Sequence, residues 1–208
     1  PAHRQVIWLG LMGGVQLAAA LAREKAYAYS HGTSVSMDQF RVAFSVPLYL
    51  GQSLFQAIPG VIMPVYIGLM AGGYHGAAHR FLARWLTVST LVLLALVALI
   101  MVAAGPLVGA LAPGFSAEQV SQTARWLRVL GPSALFMGIA GYTRARLDSH
   151  QRFTAPFLSS AMSSLTMAAA CVIAGKDNEW GLLAGGLLGS VVVLLAQVGV
   201  LTRSRDRQ

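Results

Sequence analysis

The sequence predicts an all-α transmembrane chain, a single domain over residues 1–208 built from six membrane-crossing helices. Two observations carry this. Of the 208 residues 56% are hydrophobic and only 11% charged, whereas soluble domains carry roughly 25% charge; the mean hydropathy is +0.63. Apolar runs close to the ~20 residues that cross ~30 Å of hydrocarbon as a helix also recur along the chain. A soluble globule lacks the polar covering for so much apolar surface. A disordered chain needs the opposite composition.

The spans fall at about 5–29, 40–71, 84–111, 125–145, 153–175 and 180–202. In the first, an apolar run from Gln5 to Ala22 continues as helix to Tyr29. It is too long for the core of a cleavable signal and leads into more membrane sequence. The chain opens on Pro1 rather than Met, so it is expected to be part of a longer product. The second span lies in the charge-free stretch between Arg41 and Arg80, interrupted by Pro47, Gly51, Pro59, Gly60 and Pro64. Proline removes a backbone donor and kinks a helix. In a membrane such breaks are tolerated where neighbouring helices or a watery cavity satisfy the freed carbonyls. Two readings stay open, a static kink that improves packing and a bent helix beside a transport cavity. In the second reading Gln52 and Gln56, four apart, are the polar groups that face the cavity.

The third span, Leu86 to Ala104, carries no charge at all. The fourth runs from about Leu127 to Arg144 and the fifth from Phe153 to Gly175. The sixth, Gly181 to Thr202, has Gly181, Gly185 and Gly189 at small-xxx-small spacing, a signature of close helix packing. Trp85, Trp126 and Trp180 fall near span ends, where an aromatic belt is expected.

Fifteen Lys and Arg give a net charge of +8, which at first sight fits nucleic-acid binding. Their position in short loops fits a topology signal better. With the N-terminus inside, the inner side holds Arg4, Arg80, Arg84, Arg144, Arg146, Arg152, Arg203, Arg205 and Arg207, nine of the fifteen. The acids Asp38, Glu118, Asp177 and Glu179 then lie outside. Both termini are therefore expected in the cytoplasm. The basic loop of Arg144, Arg146 and Arg152 suits anionic headgroups.

The residues best placed for chemistry are Arg23-Glu24-Lys25, followed by Asp38 and Arg41. Ionisable groups at membrane depth cost ~2.5–3.5 kcal/mol each on insertion scales and usually face a cavity or a partner. One reading is snorkelling, with the cationic ends lifted to the headgroups. The other is that Arg23 binds an anionic group, oriented by Glu24 or Asp38, and a pyrophosphate-linked lipid is the obvious candidate. No nucleophile–base pair, phosphate-binding glycine loop or ATP motif is present in the sequence, so neither an enzyme nor a cofactor is expected. A single cysteine, Cys171, excludes an intrachain disulfide and a cysteine-built metal site. His75 and His79 have ligand spacing, but with no third ligand nearby and a basic loop around them no metal is expected.

Three stretches resemble the MurJ (MviN) lipid II flippases in order and spacing. They are Leu111-Ala112-Pro113-Gly114-Phe115-Ser116; Arg23-Glu24 with Gly32, the run Asp38 to Phe44 and Pro47; and Arg146-Leu147-Asp148-Ser149 with Arg152, Phe153 and Pro156. The resemblance covers essentially the whole chain as the first six helices. It implies the MOP-exporter fold, in which two six-helix lobes enclose a cavity opened alternately to each side. It also implies transport of a polyprenyl-pyrophosphate-linked glycan or peptidoglycan precursor across the bacterial inner membrane. By that resemblance Arg23 matches a pyrophosphate-holding arginine, Glu24 its acidic neighbour and Asp38 the acid opening the second helix. The sequence departs from the family where an arginine pair is replaced by Gly51 and Gln52, an acid by Gln56, and an earlier arginine by Gln16-Leu17.

The substrate-binding set expected on these grounds is Arg23, Glu24, Asp38, Arg41, Gln52 and Gln56. The expected partners are a lipid-linked glycan, membrane lipids and a second six-helix lobe, which is the rest of the chain, a homodimer mate or a partner protein. No nucleic acid is expected. The alternatives are a non-transporting scaffold lobe in cell-envelope glycan synthesis and a MATE-like small-molecule exporter.

Overall fold

The computed structural model describes the backbone of residues 2–54, 57–149 and 154–205, and side chains within those stretches except 2–6, 53–54, 57–59, 149 and 203–205. The described residues are helical almost throughout. The elements are α1 (Ala2–His31), α2 (Val35–Leu48), a π-helical stretch (Tyr49–Leu54), α3 (Ala57–Ala71), α4 (His75–Val102), α5 (Ala104–Leu111), α6 (Ala117–Leu130), α7 (Ser133–Ser149), α8 (Thr154–Ala174) and α9 (Glu179–Arg205). The all-α expectation holds. Three helices, His75–Val102, Thr154–Ala174 and Glu179–Thr202, are long and apolar enough to cross a membrane.

Local signals set the helix ends. Ser34 caps α2, its hydroxyl accepting from Met37 N at 3.3 Å, and Asp38 in the first turn complements the helix dipole. Ser116 and Gln119 form a reciprocal capping box at α6. Because of that box the fourth rod begins at Ala117, well before the stretch near Leu127 where apolar content alone starts it. Gly32 follows α1 at φ +55° and its N–H returns to Ala28 O at 3.0 Å, a conformation suited to glycine.

In a membrane, apolar burial does not drive helices together, so close packing and hydrogen bonds have to. At Gly181 an added Cβ would stand 2.7 Å from Ala174 Cβ, and at Gly189 it would stand 2.8 Å from Met167 Cγ. The glycine row of α9 is therefore where α8 and α9 approach, as its spacing led one to expect. Deeper in the chain, Gln197 joins three helices. Thr143 Oγ1 donates to Gln197 Oε1 at 2.7 Å and Gln197 Nε2 donates to Ser159 Oγ at 3.1 Å. The main core gathers Tyr27, Met37, Phe40, Val108, Trp126, Leu127, Leu130, Met167, Cys171 and Leu182. Trp126 thus sits inside the lobe, 6% exposed, and not in an outer belt. It shares the inward stripe of α6 with Thr123, Leu127 and Leu130.

Three interruptions lie side by side. The π-helical stretch after Pro47 sets Gly51 against the first turn of α7, where an added Cβ would be 2.7 Å from Met137 Cβ and 3.0 Å from Ala134 O. The break between α6 and α7 puts Gly131 against Met101, 3.2 Å from its Cγ by the same measure. Met101 in turn precedes the break between α4 and α5 and receives Arg128 Nε on its carbonyl at 3.1 Å. At the end of the lobe that carries the α1–α2, α5–α6 and α8–α9 turns, Asp177 N donates to Ser30 O at 3.1 Å and Lys176 Nζ lies 4.7 Å from the Tyr29 ring centre.

Candidate functional site: a bridged arginine pair

A cleft of about 200 Å³ opens where α1, α2 and α8 meet, lined among others by Arg23, Glu24, Tyr27, Phe40, Arg41 and Met167. Helical spacing assembles it. Arg23, Glu24 and Tyr27 share a face of α1 as i, i+1 and i+4, and Phe40, Arg41 and Phe44 do the same on α2. Glu24 bridges the two arginines. Its Oε1 accepts from Arg23 Nε at 3.2 Å and from Arg23 Nη2 at 2.9 Å, and its Oε2 lies 3.7 Å from Arg41 Nη2. The trio carries a net charge of +1. The Arg23, Glu24 and Arg41 side chains are 29%, 48% and 63% exposed, so all three remain open to a ligand.

Beneath these charges the cleft is aromatic and soft. Phe40 and Phe44 stack with centroids 5.5 Å apart and an interplanar angle of 9°, and Tyr27 meets Phe40 edge-on at 5.8 Å. Met167 reaches in from α8. Cationic groups over an apolar floor suit an anion carried on a hydrophobic tail. The Tyr27 hydroxyl is buried without a hydrogen-bond partner among the described residues.

Of the expected site residues, the structure brings together Arg23, Glu24 and Arg41. Asp38 is exposed, one turn before Arg41, and does not line the cleft; Glu24, not Asp38, is the acid that holds Arg23. Gln52 is exposed on the π-helical stretch, whose i→i+5 register replaces the helical spacing that pairs residues four apart. Gln56 lies outside the described residues. Tyr27 and Met167 were not singled out in the sequence. Tyr27 was within reach, one turn from Arg23, whereas Met167 becomes visible only once α8 packs against α1.

A family model described as Lipid II flippase MurJ matches residues 27–207. Asp38, Arg41, Gln52 and Gln56 lie inside that match, and Arg23 and Glu24 stand just ahead of it. A probable lipid II flippase MurJ of Synechocystis sp. is 27% identical over 166 residues, covering 66% of this chain and 31% of that protein. A solved structure of lipid II flippase MurJ in an inward closed conformation superposes with a TM-score of 0.80 at 20% identity, covering 93% of this chain and 41% of that one. The chain thus spans about a third of the curated relative and two fifths of the solved one. The match over most of its length shows that this all-α transmembrane lobe belongs to the MurJ family.

Proposed function

We propose that this lobe forms one wall of an alternating-access flippase that moves a polyprenyl-pyrophosphate-linked glycan, such as a peptidoglycan precursor, across the bacterial inner membrane. The observation that carries this reading is the Arg23–Glu24–Arg41 cluster above an aromatic floor. The arginines take the pyrophosphate by charge-assisted hydrogen bonds, and the Phe40–Phe44 surface receives the first part of the lipid tail. Glu24 holds the guanidinium of Arg23 in place and lowers the resting charge of the cleft. Asp38 opens the second helix, and Gln52 offers an exposed amide further along the chain. The role is transport, with no covalent chemistry and no cofactor.

One lobe cannot enclose such a cavity, so a second six-helix lobe supplies the opposite wall. The distribution of arginines supports cytoplasmic termini. The three turns at Gly32, Pro113 and Lys176 then face outward. Arg23 stands eight residues, or ~12 Å of rise, from the outer end of α1, within the outer half of the bilayer.

The test is a reconstituted flipping assay of the intact protein with polyprenyl-pyrophosphate-linked sugars. Arg23→Ala and Arg41→Ala are expected to abolish translocation while membrane insertion stays normal. Undiminished translocation in Arg23→Ala would overturn the assignment.

A further inference from the structure

A second cleft, of about 290 Å³, opens at the same end of the lobe between α6 and the first turns of α9. It shares no lining residue with the arginine cleft. On its α6 wall stands Arg125, exposed and, among the described residues, with no carboxylate within 4 Å. On its α9 wall stands Glu179, firmly held. Gln122 Nε2 donates to its Oε1 and Oε2 at 3.0 and 3.1 Å, and Ser36 Oγ donates to Oε1 at 3.1 Å. Trp180 lines the mouth with its side chain largely open, the residue being 71% exposed. One turn further along each helix the lining changes to hydrocarbon, with Val129 four residues after Arg125 and Leu183 four residues after Glu179. The cleft therefore carries both signs of charge at its outer end and turns apolar ~6 Å further in.

We infer that this cleft binds a zwitterionic phospholipid of the leaflet at that end of the lobe. The phosphate pairs with Arg125. The amine sits between the Glu179 carboxylate and the Trp180 ring, which attracts a cation through its face. The first acyl methylenes cover Val129 and Leu183. The volume lies just below the ~300–1,000 Å³ range of ligand clefts, enough for a headgroup and too small for a glycan chain. An anionic lipid without an amine leaves Glu179 without a cation. A water-soluble headgroup leaves the apolar inner turn uncovered.

The experiment places the intact protein in nanodiscs of equal phosphatidylethanolamine and phosphatidylglycerol and counts retained lipids by native mass spectrometry. Phosphatidylethanolamine is expected to be retained in preference. Arg125→Gln is expected to lower its retention about tenfold, roughly the worth of one hydrogen bond to a charged group. Arg125→Lys, which keeps the charge, retains most of the binding, and Trp180→Ala loses part of it. Equal retention of the two lipids by the unmodified protein overturns the inference. So does unchanged retention in a folded Arg125→Gln protein, or equally tight binding of soluble glycerophosphoethanolamine. Translocation by the arginine cleft is read separately, so either proposal can fail while the other stands.

Discussion

Arg41 reaches from α2 to the Glu24 carboxylate on α1, 3.7 Å from its free oxygen, while the other oxygen is taken by Arg23. Two arginines on different helices are thus joined by one acid. Glu24→Gln removes the bridge but leaves the arginines. Exposed ion pairs contribute ~0.2–1 kcal/mol, so thermal stability is expected to change little. Translocation is expected to fall more than tenfold, more than one exposed pair is worth, and Glu24→Asp to retain part of it. A parallel loss of stability and transport would make Glu24 a merely structural residue.

Gly51 and Gln52 stand where the resemblance implies an arginine pair, and the two positions are not equivalent. An added Cβ at Gly51 meets Met137 Cβ at 2.7 Å and Ala134 O at 3.0 Å. Gly51→Arg is therefore expected to destabilise by ~1–3 kcal/mol or more, the usual cost of overpacking. Gln52 is exposed, and Gln52→Arg is expected to leave the melting temperature in detergent unchanged.

The α8–α9 seam makes a similar distinction among glycines. Gly181→Leu and Gly189→Leu drive side chains into Ala174 and Met167, and each is expected to lower the melting temperature by several degrees. Gly199, with nothing within 4 Å of an added Cβ, is the control. Gly199→Ala is expected to be neutral or mildly stabilising, since alanine favours a helix by ~1 kcal/mol over glycine.

Gln197 looks costly to remove because it is buried and bridges three helices. Its partners have fallback acceptors, however. Thr143 Oγ1 lies 2.8 Å from Ala140 O and Ser159 Oγ 2.9 Å from Pro156 O. Gln197→Leu is accordingly expected to cost only ~0.6–1.7 kcal/mol, the range of interhelical hydrogen bonds in membranes. An unfolding free-energy change beyond 3 kcal/mol would show that the amide does more than join the helices.

The membrane class was legible because composition alone determines it, and the glycine row of α9 because its spacing permits one packing. The Arg23–Glu24 pair was legible through adjacency. The link to Arg41 was not, since it depends on how α1 and α2 lean together. Gln52 stands exposed on the π-helical stretch at Tyr49–Leu54, and Gln56 lies outside the described residues. Trp126 was assigned to the belt by its position near a span end. The Ser116–Gln119 box moves that end outward and turns the indole into the core. The break at Ala103 is marked only by Pro106 three residues later, which lacks the N–H that would return to Val102.

The side-by-side interruptions at Gly51, Gly131 and Met101 have a mechanical consequence. A helix bends most cheaply where its hydrogen-bond ladder is already broken, and here three ladders break at one level. The interrupted helices thereby share a joint, past which α1, α8 and α9 run unbroken. Bending of the interrupted helices is concentrated at a glycine backbone resting on the first turn of α7. A bulky residue at Gly51 would act as a wedge in that joint, blocking its movement while leaving the arginine bridge chemically intact.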